Sequence, residues 1–394
     1  MLLPVVKLKT PRNSRHPWIY KKMTQAPRGI ELAPGSLVEV RDKGGAFVGR
    51  AFYHPENTIA LRLLTEDRNE AVDADFFRRR LSYAKRLREE VLHLPEYGDS
   101  YRLVHAEADL LPGLVIDKFA NVLVVEPYVA GWMHVMDWLA EGLHELYPGS
   151  TVAVRADPRA ASKEGVTFAP LEKRYPAPSH VDVRENGLVY RVDFLTGHKT
   201  GFFLDQRDNR ARVASFARGR SVLDLCCYTG GFSLSAWRGG ADSVEAVDLD
   251  EEALSSARAN AGLNGADGIR FIHQDAFETL RERQSSKRRY GLLVLDPPKL
   301  ANGQEEVEKG LKSYYDLNRS AVLAVEPGGV FVTCSCSGAV SEERWRQAVR
   351  RAAVDAGVGL TIFHASGAGD DHPVAGDFPQ GRYLKVLFAR VDRQ

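Results

Sequence analysis

Between residues 221 and 335, short apolar runs alternate with helical stretches, and this rhythm constrains the fold more than any other feature. The runs at 221–226, 243–248, 269–272, 291–295 and 329–335 read as strands, with helices between them. Strands alternating with helices imply a parallel sheet covered on both faces, a doubly wound α/β domain. Two further runs, near 358–364 and 382–390, extend the sheet. The second alternates enough to predict an antiparallel edge strand.

At 394 residues the chain is too long for one ordinary domain. The α/β pattern occupies 181–394 and follows a linker-like Lys173-Arg174-Tyr175-Pro176-Ala177-Pro178. Residues 1–70 predict a small β-rich domain. There Ser36–Val40 and Ala46–Phe52 flank Lys43-Gly44-Gly45, a hairpin signal. Residues 71–180 predict an α+β central domain. Its helix over 75–94 places Phe77, Leu81, Ala84, Leu87 and Val91 on one face. A β-hairpin over Leu114–Asp117 and Asn121–Val125, a helix over 131–147 and a strand near 151–155 follow.

The run Ser221-Val222-Leu223-Asp224-Leu225 enters the turn Cys226-Cys227-Tyr228-Thr229-Gly230-Gly231 and then a helix. Glycines there let a ligand approach the backbone at a helix N-terminus. The turn lacks the G-x-G-x-x-G that a dinucleotide diphosphate requires, which argues against an NAD-dependent dehydrogenase. Asp224 also disfavours a diphosphate and suits a ligand carrying a cation, such as S-adenosyl-L-methionine. Asp248 ends the second strand 24 residues later, where an acid can take both ribose hydroxyls. Asp275 ends the third strand and can accept from an adenine amino group. Strand-end acids also cap helices, so the series carries the reading rather than any member. The candidate cofactor set is Asp224, Cys226, Tyr228, Thr229, Gly230, Gly231, Asp248, Asp275 and Asp296.

Asp296-Pro297-Pro298-Lys299 ends the fourth strand, and Thr333-Cys334-Ser335-Cys336-Ser337-Gly338 ends the next. An acid and a thiol at one sheet edge could hold and attack a planar base. The four cysteines lie as C-C and C-x-C without a histidine cluster, which argues against a metal site. Cys226 and Cys227 read as packing in core and turn. So few cysteines, and no apolar run long enough to span a bilayer, predict a soluble cytoplasmic protein. The first 30 residues hold seven Lys or Arg and no acid. Lys7, Lys9, Arg12, Arg15, Lys21 and Lys22, with Trp18 among them, form the candidate RNA-binding set, although Trp18 taken alone reads as a residue of the small core.

These residues, with Arg15-His16-Pro17-Trp18-Ile19-Tyr20, Lys199–Arg207 and Asp371-His372-Pro373, resemble the large-subunit ribosomal RNA cytosine-5 methyltransferase I family over nearly the full length. The resemblance implies an N-terminal PUA domain, a central domain with a β-hairpin, and a C-terminal class I methyltransferase domain. It implies S-adenosylmethionine as cofactor and 23S ribosomal RNA as substrate, with 5-methylcytosine as product. Lys199, Thr200, Gln206 and Arg207 would lie against the cofactor. Cys336 would be the nucleophile, and Asp296 would share a proton with the ring. Lys299 would favour the thiolate or bind a phosphate. The competing readings are a guanine N-methyltransferase using the same Pro-Pro turn, which needs no thiol, and a non-enzymatic ribosome assembly factor. A homodimer is compatible with these residues.

Overall fold

The computed structural model describes residues 3–12, 14–27, 29–194 and 201–393. Lys199 and Thr200 lie outside the described residues. The chain forms two compact units. The first comprises Met1–Val183, Val192–Gly201 and Asp370–Gly381, and the second Arg184–Arg191, Phe202–Gly369 and Arg382–Gln394.

In the first unit, β1 (Val5–Leu8), β2 (Trp18–Tyr20), β3 (Thr24–Gln25), β4 (Ser36–Arg41), β5 (Phe47–Tyr53) and β6 (Ile59–Thr65) form one sheet. Their order is β2-β6-β5-β4-β1-β3. Val6, Ile19, Val38, Val40 and Leu61 close its core. A second core gathers around Trp132. It is built by α1 (Ala74–Arg86), the sheet β10-β9-β8-β7 and α2 (Trp132–Leu146). The sheet strands are β7 (Ser100–His105), β8 (Leu114–Phe119), β9 (Val122–Pro127) and β10 (Thr151–Val154). Two short helices, α3 (Pro158–Lys163) and α4 (Ala169–Arg174), precede the hairpin of β11 (His180–Glu185) and β12 (Leu188–Asp193), of which Arg184–Arg191 belong to the second unit.

The predicted helix over 75–94 instead ends its α-helical part at Arg86 and continues as one wide turn over Leu87–Val91. That turn buries Arg88 completely. Its guanidinium takes both carboxylate oxygens of Asp109 and the carbonyls of Arg102 and Asp371. Arg102 in turn pairs with the buried Asp117 at 2.8 and 3.0 Å. Residues 370–381 thus belong to this unit through contacts remote in sequence.

The second unit is the doubly wound domain. In chain order it runs α5 (Arg207–Ala217), β13 (Ser221–Leu225), α6 (Gly231–Arg238), β14 (Ser243–Asp248), α7 (Glu251–Leu263), β15 (Ile269–His273) and α8 (Ala276–Ser285). Then come β16 (Tyr290–Leu295), α9 (Val307–Leu323), β17 (Val325–Ser335), α10 (Glu342–Asp355), β18 (Gly359–Ser366) and β19 (Lys385–Asp392). The sheet order is β15-β14-β13-β16-β17-β19-β18. The strands β13 to β17 pair in parallel; β19 is antiparallel to both β17 and β18. So β19 is not the edge strand its alternation suggests. It is enclosed, and β18 forms the edge. Strand order reverses between β13 and β16, which opens a crevice above their carboxyl ends.

Removing one partner of a buried ion pair leaves a desolvated charge. Arg88→Ala is expected to destabilise the first unit by about 3–5 kcal/mol, read as a lower midpoint in urea unfolding. An unchanged midpoint would show that Asp109 finds another partner.

Candidate active site

Asp224, at the head of the crevice, is fully buried. One carboxylate oxygen accepts from Ser233 Oγ at 2.5 Å, and the other has no hydrogen-bond partner. Burial pushes this carboxyl up to about 7, the charges of Asp296 and Asp248 add to that, and the Ser233 bond opposes it. A buried oxygen without a partner is costly unless something supplies a donor. A bound cation would supply one and restore the ionised form.

The turn after β13 holds an unusual backbone. Cys226, Tyr228 and Gly230 have φ of 62°, 50° and 82°. Two of these are non-glycine residues in the left-handed region, a strain of roughly 1–3 kcal/mol each. Cross-links hold them there. Cys227 N donates to Val247 O at 3.0 Å, and Tyr228 N to Asp248 Oδ2 at 2.8 Å. A Cβ at Gly231 would lie 2.9 Å from Arg210 Cδ. Arg210 is itself buried and paired with Glu185 at 2.6 and 2.7 Å. Thr229 accepts from Asn260 through its carbonyl at 3.1 Å. Burial pushes the thiols of Cys226 and Cys227 well above their ordinary value, so both stay protonated.

The strand-end acids divide their work. Asp248 also accepts from Asp250 N at 2.9 Å, so both its oxygens organise backbone. Asp275 caps α8 through Phe277 N and Glu278 N. Each oxygen has further lone pairs, so these bonds do not exhaust either carboxylate.

The Pro-Pro turn and the cysteine turn meet. Asp296 Oδ2 accepts from Gln206 Nε2 at 3.0 Å, and Gln206 Oε1 accepts from Asn209 at 2.7 Å. Gln206, expected against the cofactor, therefore orients Asp296. Arg207 is buried and pairs with Asp208 at 3.1 Å. Cys334 is fully buried; its thiol bonds with Gln206 and Asp296, and burial drives it well above its ordinary value. Cys336 lies just past the end of β17 and is half-buried, with Sγ 4.0 Å from Pro297 O. Ser337 joins the two turns. Its Oγ accepts from Leu300 N and Ala301 N, both at 3.1 Å, and bonds Tyr314 OH at 2.9 Å.

Lys299 is exposed and its charge acts on Glu306. A different cation, Lys385, lies buried beneath the cysteine turn and donates to Ser337 O at 2.8 Å and Val340 O at 2.9 Å. No motif marks Lys385 or Tyr314; for Lys385 the available signal is a lysine inside the apolar run Leu384–Phe388, whereas Ser337 stands within the cysteine motif without a role legible from sequence.

In the first unit, Lys7, Lys9, Arg15, Lys21 and Lys22 are exposed, and Lys21 pairs with Glu56 at 3.0 Å. Two members of the RNA set are committed elsewhere. Arg12 pairs with Glu66. Trp18 donates its indole N–H to Glu107 at 2.7 Å and packs between Arg62 and Phe378, so its ring is not an open stacking platform.

Among the described residues no helix is long and apolar enough to cross a membrane. A family model described as S-adenosylmethionine-dependent methyltransferase matches residues 169–358, and one described as PUA-like domain matches residues 9–66. The chain is 39% identical over 395 residues to "Ribosomal RNA large subunit methyltransferase I" of Shewanella denitrificans, covering 98% of this chain and 99% of that protein. The protein of the same name from Photobacterium profundum is 37% identical over 375 residues, with 94% of each chain covered. Among solved structures, SMU.776 complexed with SAH superposes with a TM-score of 0.80 at 19% identity, over 99% of this chain and 100% of that one. The SAM-dependent methyltransferase from Agrobacterium tumefaciens gives 0.53 at 19% identity, over 76% and 91%. At such identity the likeness is one of fold. The cofactor is S-adenosylmethionine, and the orphaned Asp224 oxygen beside the glycine turn fits its cationic amino-acid end.

Asp224 makes ligand binding depend on pH. Without a cation beside it, the Asp224 carboxyl holds a proton below about 7. A cationic ligand favours the carboxylate, so affinity rises with pH toward that value, up to about tenfold per unit. Calorimetry with S-adenosylhomocysteine from pH 6 to 8 should show this rise in the wild type and a flat profile in Asp224→Asn. A flat wild-type profile would contradict the assignment.

Proposed function

The chain belongs to the ribosomal RNA large subunit methyltransferase I family, and from that premise we propose that it forms 5-methylcytosine in 23S ribosomal RNA through a covalent adduct on Cys336. The observation that carries this reading is the contrast between two neighbouring cysteines. Cys334 is sealed inside the sheet, whereas Cys336 is partly open, beside the Pro-Pro turn. A guanine N-methyltransferase would have no use for that thiol.

Carbon 5 of cytosine is too weak a nucleophile to take a methyl group unaided. The Cys336 thiolate adds at carbon 6, and carbon 5 gains enamine-like electron density. S-adenosylmethionine supplies the methyl group as an electrophile on sulfonium sulfur. Asp224 would hold its amino group, Asp248 its ribose hydroxyls and Asp275 its adenine. Negative charge grows toward N3 and O2 of the cytosine, where Asp296, held by Gln206, shares a proton. Loss of the carbon 5 proton to a base then lets the thiolate leave and restores the aromatic ring. The target base must leave its stack to reach such a site.

RNA carrying 5-fluorocytidine has no carbon 5 proton to lose, so the adduct should persist. Peptide mapping is expected to find it on Cys336 in the wild type. Cys336→Ala should bind cofactor and form no adduct, while Cys334→Ala should keep substantial activity. An adduct on Cys334, or none, would overturn the mechanism.

The exposed basic residues of the PUA-like domain support a role in RNA affinity. Each phosphate neutralised contributes roughly one unit to the salt slope. Replacing Lys7, Lys9, Arg15, Lys21 and Lys22 with alanine should weaken RNA binding and flatten its salt dependence, leaving cofactor affinity near wild type. An unchanged slope would exclude this face.

A further inference from the structure

Lys385 stands in β19 opposite Ser335, within a stretch where Leu384, Val386 and Leu387 are all buried, and it is itself 5% exposed. A buried ammonium needs compensation. Its hydrogen bonds go to two neutral carbonyls, Ser337 O and Val340 O, which bracket the turn leaving Cys336. The carboxylate whose charge reaches it, Glu342, is already engaged by Arg346 at 2.6 Å and Arg382 at 3.5 Å. The other ionisable group acting on it is Cys336.

The groups around Cys336 come from several elements. Lys385 lies on β19, Tyr314 on α9, Cys334 on β17 and Asp296 at the end of β16. Lys299 shares the Asp296 turn and is exposed. Among the buried members of this set, Lys385 is the one that carries positive charge; Tyr314 and Cys334 are held neutral by burial. An ammonium beneath a thiol favours the thiolate.

We propose that Lys385 is a positioning residue for the reaction: its ammonium clamps the Ser337–Val340 turn that leaves Cys336, and its charge there favours the thiolate where the base is attacked. This rests on the reading of Cys336 as nucleophile. In this arrangement the thiol gives its proton to solvent while Lys385 keeps its own, leaving a thiolate–ammonium pair. Burial lowers Lys385 to about 8, with Cys336 and Glu342 opposing, so the ammonium persists at neutral pH and is lost above it. The two titrations are coupled.

The test is the pH dependence of Cys336 alkylation by iodoacetamide, followed on its own peptide by mass spectrometry and without RNA. The wild-type midpoint should lie below the ordinary cysteine value of about 8.5. Lys385→Met should raise it by about one unit or more, and Lys385→Arg should keep it low. Adduct formation with 5-fluorocytidine RNA should slow several-fold at pH 7 in Lys385→Met and recover at higher pH, with RNA affinity unchanged. A midpoint that does not move in folded Lys385→Met overturns the proposal. An adduct that maps away from Cys336 overturns the nucleophile reading instead. Should Lys385→Met not fold, the coupling can be read from the other side: Cys336→Ala should shift the Lys385 titration downward in carbon-13 lysine spectra. An unshifted titration would overturn it equally.

Discussion

Parallel pairing of β13, β16 and β17 brings three strand ends to one edge of the sheet, and the chemistry of the second unit depends on that register. Leu225 pairs with Leu295, and Leu295 with Thr333. The next residues, Cys226, Asp296 and Cys334, therefore stand at one level. This is why Cys334 lies against Asp296 inside the sheet, and why Cys336, two residues further, has left the strand. A shift of one residue would exchange the faces of every side chain involved.

Around that edge the site sets buried acids against buried cations. The charges of Asp248 and Asp296 act on the buried Asp224. Arg210 is neutralised by Glu185 and braces the glycine turn, while Lys385 rests on carbonyls under the cysteine turn. The tie through Ser337 makes the two loops one structure, since a single hydroxyl serves Leu300 N, Ala301 N and Tyr314. Acid and thiol are thereby held at fixed spacing, as the proposed attack on a planar ring would require.

The sheet was legible in the sequence because short apolar runs alternate with helical stretches from 221 to 335, and the ends of the runs are marked by Asp224, Asp248, Asp275, Asp296 and Cys336. What could not be read depends on partners far along the chain. Arg88 and Arg102 look like surface residues until Asp109, Asp117 and residue 371 are placed beside them. Lys385 alternates with apolar neighbours as an edge-strand lysine would, yet β18 covers that edge. Trp18 reads from sequence as a packed ring, but the sequence does not tell that Glu107, Arg62 and Phe378 are what it packs against. Local pattern reports periodicity and termini; it does not report which charge a distant segment will bury.

The central claim is that this protein attacks cytosine through Cys336. Purified protein, S-adenosylmethionine and unmethylated 23S ribosomal RNA, followed by bisulfite sequencing, test it most directly. The account predicts one cytosine that becomes resistant to conversion with the wild type and remains convertible with Cys336→Ala. Methyl transfer to a guanine nitrogen, or resistance that survives loss of Cys336, would contradict it.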